Sequence, residues 1–489
     1  MCFLVMVSTL IALMSEALGE LGTASGSEAP SRRFRGVAHI ELPTKREETI
    51  TAEDVEVRIF ELVKMERRAR SDGAVCLDGS PGAFYISKAP AEYRTRRQWV
   101  IHLAGGSWCY DAPTCYNRSV TVRFGQNLGS SVTYLPNQTA ADLQIGGMLS
   151  DNCTENPTFC NFNFVFVKYC DGTSYSGNRE DPIVYMDSSG MQTKLWFRGR
   201  RILNAVLDTL IEDYGLGSAS EILLGGDSAG GLAVFNHANY VQRRIQHYHS
   251  SDGEGVKFRV APNSGFFLYH NNVAGDMVWQ EQMKHLYQVS NWTLTDNACL
   301  EMYVKELQWL CIFPQNLYKF IEPSIFVLNS ALDLYQVSNI LAAERIEGFP
   351  NRENSDVSFW SGYNSSAVPG WANCSGVKGH IENCGPEQIY HINAYMDRFT
   401  TVLSNDRTFQ KRGNGAFVYG CFDHNAEMRD LPQKRYSVGS ISMRDALSAW
   451  WRSASAPAQR FTHVEVGRYK YPASMSDASP SCSEVLDPF

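Results

Sequence analysis

The chain has 489 residues, of which 44% are hydrophobic and 20% charged, so it carries ample apolar material for a large core. Its formal net charge of −8 is small for this length, and its Lys and Arg residues do not gather into long blocks. The densest basic stretch, residues 64–70, is interrupted by Glu66 and apolar residues and is typical of a solvated helix face. We therefore expect no nucleic-acid partner.

The N-terminal segment has the pattern of a secretory signal. An apolar run over residues 2–14 precedes the small residues Ala17 and Gly19, and this run is shorter than the roughly 20 residues that span a bilayer. It lacks the usual basic residue at its start, and a frayed helix is the alternative interpretation. We predict a signal peptide over residues 1–19 and, because residues 20–54 are polar and without a clear period, a poorly ordered lead-in after it.

Cysteines and glycosylation signals agree with secretion. One of the 13 cysteines, Cys2, lies in the predicted signal, and the even number that is left suits a fully disulfide-bonded protein. No later segment reaches transmembrane length. We expect a secreted, extracellular or cell-wall associated monomer without stable membrane insertion. Six N-x-S/T sequons point the same way: Asn117, Asn137, Asn152, Asn291, Asn364 and Asn373.

Short apolar runs alternate with helical patterns between residues 55 and 455. Helical spacing of apolar residues predicts a helix over 197–213. This alternation predicts the α/β class, a mainly parallel sheet covered by helices on both faces. Residues 456–489 form a polar C-terminal tail that the pattern does not place. Predicted strands, in chain order, cover residues 99–103, 161–168, 221–224, 324–328 and 416–419.

Residues 226–230 read G-D-S-A-G, the G-x-S-x-G pattern of a serine nucleophile at a sharp turn between strand and helix. The predicted strand 221–224 precedes the pattern and is broken by Gly225-Gly226. The N-terminus of the helix that should follow favours negative charge at the serine. We predict Ser228 as the nucleophile, exposed at the edge of the sheet, against the alternative of a glycine-rich turn with an incidental serine.

A serine nucleophile needs a histidine base, which in α/β-hydrolases follows the acid in the chain. Four histidines come late enough: His380, His391, His424 and His463. His424 follows the predicted strand 416–419 at a strand-to-loop exit. His380 lies in a cysteine-flanked loop, His391 in a predicted helix and His463 in the C-terminal tail that the pattern does not place. We therefore predict His424 as the base.

The acid that orients the base should also follow a strand. Asp333 comes shortly after the predicted strand 324–328. Glu344 and Glu347 fall in a helical stretch, and no strand directly precedes Asp356. We predict Asp333 as the acid, against the alternative that it only caps a helix or is solvated in a loop.

An oxyanion hole needs at least two converging N–H groups. One should come from Ala229, next to the nucleophile, and the others from Gly106 and Ser107, in the turn after the strand 99–103. By itself this turn would be an ordinary glycine turn, so the prediction depends on the triad.

Several further segments, taken with these, resemble the pectin acetylesterase family, which includes the Wnt deacylase Notum. The resemblance implies a Ser/Asp/His esterase of the α/β-hydrolase fold, and its motif positions fall on Ser228, Asp333 and His424. C-L-D-G-S-P, Y-C-D-G and F-R-G-R look like the plant acetylesterase branch. The matching segments are V-C-L-D-G-S-P (75–81), H-L-A-G-G-S-W-C (102–109), Y-C-D-G-T-S-Y-S-G (169–177), F-R-G-R-R-I (197–202), S-A-G-G (228–231), residues 326–340 and C-F-D-H (421–424).

Four positions depart from the family pattern. Ala104 replaces an acidic residue before the glycine pair, and Ser107 replaces a third glycine, so the pocket beside the oxyanion turn could be reshaped. Asp227 and Asn425 stand where the plant branch has cysteines, before the nucleophile and after the histidine. With Asp227 the elbow also looks like that of hormone-sensitive-lipase-type esterases, which lack this cysteine framework, so we interpret that overlap as convergence.

Cysteine spacing and the family resemblance together predict six disulfides. The predicted pairs are Cys76–Cys170, Cys109–Cys115, Cys153–Cys160, Cys299–Cys311, Cys374–Cys384 and Cys421–Cys482.

The resemblance implies hydrolysis of O-acetyl esters on an extracellular, pectin-like polysaccharide. A Notum-like protein or lipid deacylase is the alternative within esterases, and a non-catalytic glycan-binding relative is the alternative outside them. No cofactor and no metal are implied, because His247 and His249 form an isolated pair without further ligands.

Overall fold

A single large sheet organises the computed structural model, which describes residues 57–123, 126–249, 255–294, 297–345, 349–350, 371–375, 380–453 and 461–484. These residues fall in one compact unit. The predicted signal peptide and lead-in, 1–19 and 20–54, lie outside the described residues. Within the described part of the chain, no helix is both long enough and apolar enough to cross a membrane.

The described strands are, in chain order, β1 Glu61–Lys64, β2 Ala83–Ser87, β3 Gln98–Leu103, β4 Val122–Arg123, β5 Gln126–Asn127, β6 Asn163–Val167, β7 Ile183–Met186, β8 Gln192–Leu195, β9 Glu221–Asp227, β10 Lys257–Asn263, β11 Ser324–Ser330, β12 Gly415–Tyr419, β13 Ser437–Val438, β14 Ile441–Ser442 and β15 Phe461–Glu465.

The described α-helices are α1 Glu66–Asp72, α2 Ala112–Val120, α3 Gly199–Tyr214, α4 Ala229–His249, α5 Val278–Val289, α6 Asn297–Glu301, α7 Pro314–Leu317, α8 Leu334–Gln336, α9 Trp371–Ser375, α10 Pro386–Ser404, α11 Arg407–Gln410, α12 Asp430–Arg435 and α13 Met443–Arg452.

Nine strands form the main sheet in the order β1-β2-β6-β3-β9-β10-β11-β12-β15. β2 pairs antiparallel with β1 and β6, and every other pairing in this sheet is parallel. The carboxyl ends of β9, β11 and β12 therefore meet at one edge of the sheet, where loops that follow parallel strands build sites.

The predicted strands are present as β3, β6, β9, β11 and β12, and the predicted helix as α3. Buried residues of α3 such as Ile202, Val206 and Leu210 follow helical spacing, and the helix ends at Gly215 in a left-handed conformation, φ 80°. One boundary differs from the prediction, because β9 continues through Gly225 and Gly226 to Asp227 instead of breaking there.

Four strands of the sheet, β1, β2, β10 and β15, have no counterpart in the sequence prediction. β10 lies between β9 and β11 in the middle of the sheet. β15 comes from the segment that the sequence left unplaced, and it pairs parallel with β12 at the sheet edge. The described part of the C-terminal segment is thus built into the main sheet.

All six predicted cysteine pairs are disulfides in the structure. Four close short loops, whereas Cys76–Cys170 and Cys421–Cys482 join residues 94 and 61 positions apart. The second of these ties the loop after β12 to the C-terminal segment.

Candidate functional site

Ser228 lies in the one-residue turn between β9 and α4. Its backbone is in the left-handed region, φ 53°, and its N–H donates to the carbonyl oxygen of Asn263 at the end of β10, 3.0 Å away. A non-glycine residue in this conformation is strained, which is characteristic of a nucleophile elbow.

The glycine after the elbow explains why this turn can close. A Cβ on Gly230 would overlap the carbonyl oxygen of Leu103, because the start of α4 packs directly against the end of β3. A Cβ on Gly105 would likewise lie 2.7 Å from Cβ of Ser228. The turn after β3 therefore rests against the predicted nucleophile.

Ser228 is less accessible than the sequence suggested. It was expected to stand exposed at the sheet edge, yet only 4% of its surface is accessible to solvent. The turn after β3 packs against Ser228 and contributes to this burial.

The predicted acid and base are in direct contact. Nδ1 of His424 lies 2.7 Å from Oδ2 of Asp333, which is completely buried. The other oxygen of the same carboxylate accepts the N–H of Gln336 at 3.0 Å and so caps α8. Capping and contact with the histidine, which the sequence presented as alternatives, thus occur together.

The surroundings of His424 favour its charged form. Burial by itself lowers the pKa of His424, but the negative charges of Asp333, Asp227 and Asp423 outweigh burial and raise the pKa above its ordinary value. The raised pKa makes the imidazole a stronger proton acceptor than an isolated histidine.

A second buried carboxylate holds the loop of His424. Oδ1 of Asp423 accepts the N–H of His424 at 2.6 Å, and Oδ2 accepts the hydroxyl of Tyr436 at 2.6 Å. Arg429 also donates to this carboxylate. Asp423 precedes the predicted base in the chain, and this adjacency was the sequence signal that could have identified it.

The predicted oxyanion turn has the backbone of a tight glycine turn. Gly106 has φ 143° and Ser107 has φ 62°, and Arg118 donates from Nη1 to the carbonyl oxygen of Gly106 at 2.8 Å. The third predicted donor, Ala229, is the first residue of α4 and is fully buried.

Tyr335 connects this turn to the histidine, and no sequence motif pointed to its role. Its hydroxyl lies 2.6 Å from Oγ of Ser107, and its ring stacks on the ring of His424 with centroids 5.7 Å apart. Burial raises the pKa of Tyr335, so its hydroxyl stays protonated and available as a donor.

An aromatic cluster fills the space next to the oxyanion turn. Trp108, the residue after Ser107, packs edge-on against Phe267, Trp279 and Tyr335, with ring centroids 5.0–5.9 Å apart. Phe267 and Trp279 also contact each other, and both are almost completely buried. We call Trp108, Phe267, Trp279 and Tyr335 the aromatic cluster.

The other histidines considered as bases lie elsewhere. His391 is on α10, and His463 is on β15, paired with Phe417 of β12. Nowhere in the described ranges do three His, Cys, Asp or Glu side chains group in a way that could hold a metal ion.

Sequence comparisons show which known proteins the chain is similar to. The sequence model of the Pectinacetylesterase family matches residues 56–475. Pectin acetylesterase 11 of Arabidopsis thaliana is 29% identical over 422 residues, which cover 85% of this chain and 91% of the relative. A palmitoleoyl-protein carboxylesterase NOTUM of Drosophila melanogaster is 30% identical, over 54% of this chain and 36% of its own length.

The fold also matches a solved structure. The Wnt deacylase Notum from Drosophila superposes with a TM-score of 0.61 at 23% identity, covering 82% of this chain and 95% of that one. The protein therefore has the predicted α/β-hydrolase-like fold, with its mainly parallel sheet, covering helices and disulfide staples.

Proposed function

The chain belongs to the pectinacetylesterase family, and from this membership we propose that it is a secreted serine esterase that removes O-acetyl groups from a pectin-like polysaccharide. The reaction class, carboxylic ester hydrolysis, is shared by the pectin acetylesterase and Notum relatives. Six disulfides support the secreted location, since such bonds persist in oxidising compartments. We expect the enzyme to act as a monomer.

In the proposed mechanism, Oγ of Ser228 attacks the acetyl carbonyl while His424 takes its proton. Nδ1 of the imidazole is committed to Asp333, so Nε2 is the nitrogen that accepts the proton and returns it to the leaving sugar hydroxyl. An acetyl-enzyme results, and a water molecule, activated by the same nitrogen, releases acetate and restores the serine. The N–H groups of Gly106, Ser107 and Ala229 would stabilise the oxyanion.

The aromatic cluster is the observation that favours a short acyl group. An ester carbonyl bound at the oxyanion turn would place its acyl group near Trp108 and Tyr335, which border Ser107 and His424. Close-packed, buried rings at that position leave little room for a long chain. A fatty acyl group would need a deep apolar cavity instead.

The alternative function is deacylation of a longer chain, which the similarity to the NOTUM carboxylesterase favours. Each additional buried methylene contributes about 0.8 kcal/mol. A pocket shaped for a fatty acid should therefore show a steep rise of kcat/KM with chain length, whereas a filled pocket should lose activity within a few carbons.

A series of p-nitrophenyl esters from acetate to palmitate separates these functions. We expect kcat/KM to be highest for acetate and clearly lower for octanoate, and we expect release of acetate from acetylated pectin. Ser228→Ala should reduce turnover by roughly 10³ or more with the fold intact. An optimum at octanoate or beyond would favour the deacylase, and a Ser228→Ala enzyme with wild-type turnover would refute the proposed nucleophile.

A variant of the cluster sharpens this test. Trp279→Ala should move the optimum towards longer esters, because it opens space beside the oxyanion turn. Trp450→Ala is the matched control, since Trp450 is equally buried but packs against Phe326, far along β11 from the site. A shift in both variants, or in neither, would show that the cluster does not set chain length.

A further inference from the structure

The carboxylate of Asp227 joins three parts of the site. This residue ends β9 and immediately precedes Ser228. Its Oδ1 lies 2.9 Å from Nε2 of His102 and accepts the N–H of Gly105 at 3.1 Å, while Oδ2 accepts Nδ2 of Asn425 at 3.1 Å. Because carboxylate oxygens only accept hydrogen bonds, Nε2 of His102 must carry the proton.

Two of these partners lie directly next to proposed catalytic elements. Gly105 opens the turn that carries Gly106 and Ser107, and Asn425 follows His424. Asn425 is fixed in turn, with φ 61° and its N–H donating to Oγ of Ser264 at 2.9 Å. One carboxylate thus connects the elbow, the oxyanion turn and the histidine loop.

We propose that Asp227 is a positioning residue of this esterase: its carboxylate holds the oxyanion turn and the loop of His424 in register with Ser228 and adds a further negative charge near the imidazole. This inference rests on the proposed serine esterase function and adds to it a role for a residue outside the triad. Asn425 is the complementary partner in this role.

Several other charged groups face this region and belong to different elements. Asp227 is one of the charges that raise the pKa of His424, after Asp333. Burial lowers the pKa of Lys168, at the end of β6, to about 8, although Asp227 opposes this shift. Burial, reinforced by the charge of Asp227, raises the pKa of Glu427 well above its ordinary value. The remaining facing groups are His102, Asp333, Asp423 and Arg429.

The two aspects of the role, position and charge, can be separated by two variants. Asp227→Asn removes the charge and puts one donor where an acceptor stood. We expect kcat for p-nitrophenyl acetate to fall by about tenfold or more with KM little changed. The acid-side midpoint of the pH profile of kcat/KM, which reports the pKa of His424, should fall by about one unit.

Asn425→Ala removes the hydrogen bond and keeps the charge. We expect a similar fall in kcat with an unchanged midpoint. The exchange Asp227→Asn/Asn425→Asp restores a donor–acceptor pair and a negative charge at this place, so it should recover the midpoint and part of kcat. Asp213→Asn is the matched control, because Asp213 is an exposed residue of α3 that only approaches Arg67 at 4.0 Å.

The outcomes decide between this inference and the proposed function. Folded Asp227→Asn and Asn425→Ala enzymes with wild-type kcat would overturn the positioning role, and an unshifted midpoint in Asp227→Asn would overturn the role of its charge. If Asp227→Asn does not fold, Asn425→Ala and the exchange variant decide in the same way. If the wild-type protein were no faster than Ser228→Ala, the proposed esterase function would be refuted. If the wild type were active and the Asp227 and Asn425 variants were equally active, only the positioning role would be refuted.

Discussion

The two oxygens of the Asp333 carboxylate have different partners, and this division fixes the orientation of the group. Asp333 caps the start of α8, where its Oδ1 accepts the N–H of Gln336. This bond fixes the rotamer in which Oδ2 points to Nδ1 of His424. A carboxylate held in this way before substrate arrives spends no energy on reorganisation during the reaction.

Asp333→Asn tests this arrangement. The amide can keep the cap through its oxygen, but its NH₂ then faces Nδ1 of His424, which leaves the proton on Nε2 and blocks proton transfer from Ser228. We expect kcat on p-nitrophenyl acetate to fall by about 10⁴ with little change in melting temperature.

A matched control separates the acid from the cap. Asp406→Asn alters another aspartate that caps a helix, since Asp406 accepts the N–H of Thr408 at 2.7 Å at the start of α11. It should leave kcat unchanged. An Asp333→Asn enzyme that retained wild-type turnover would contradict the proposed acid.

The residues of the proposed triad could be selected from sequence because each follows a strand in a fixed chain order. The partners of these residues could not. Asp227 and Asn425 are 198 positions apart, and only the folded sheet brings their side chains to 3.1 Å. A single sequence marks them as departures from a family pattern and gives no reason to pair them.

At the scale of elements, β10 shows why part of the sheet escaped prediction. Lys257, Arg259 and Pro262 interrupt its apolar pattern, and a proline argues against a central strand. The structure accommodates Arg259 because its guanidinium donates to the carbonyl oxygen of Ser453 at 3.0 Å and lies over the ring of Trp450. Those partners lie nearly 200 residues away, where local pattern carries no information about them.

The C-terminal element is fixed to the site by a covalent link. β15 pairs with β12, the strand that leads to His424, and Cys421 in the same connection is bonded to Cys482. The sequence predicted the bond but not the strand, because β15 is short and only Phe461 in it is fully buried.

The Cys421–Cys482 disulfide closes a much longer loop of chain than a disulfide between neighbouring cysteines does. These two cysteines are 61 positions apart, so replacing both by serine removes the constraint on a long loop of the unfolded chain. We expect a loss of about 4 kcal/mol in the free energy of unfolding. The same change at Cys153 and Cys160, 7 positions apart, should cost about 2 kcal/mol. Denaturant unfolding of both variants measures the difference. An equal or reversed order would contradict the view that the bond holds the C-terminal segment in place.

At the scale of the whole molecule, the fold class was predictable from alternating strands and helices, and the disulfides were predictable from cysteine spacing together with the family resemblance. The aromatic cluster was not, since Trp108, Phe267, Trp279 and Tyr335 come from four separate segments. The proposed acyl specificity therefore depends on packing between distant parts of the chain, whereas the residues of the proposed triad lie in local motifs.

The disulfide framework makes a prediction about the entire mature protein. Twelve cysteines follow the predicted signal, and all are paired in the structure. Denatured, unreduced protein from a secretory host should take up no alkylating reagent, and reduced protein should take up twelve equivalents, as read by intact mass. Cys482→Ser is the internal control, because it leaves one thiol at Cys421 and should give one adduct without reduction. Several adducts on the unreduced wild type would contradict both the pairing and the proposed secretion, since a chain kept in a reducing compartment would retain free thiols.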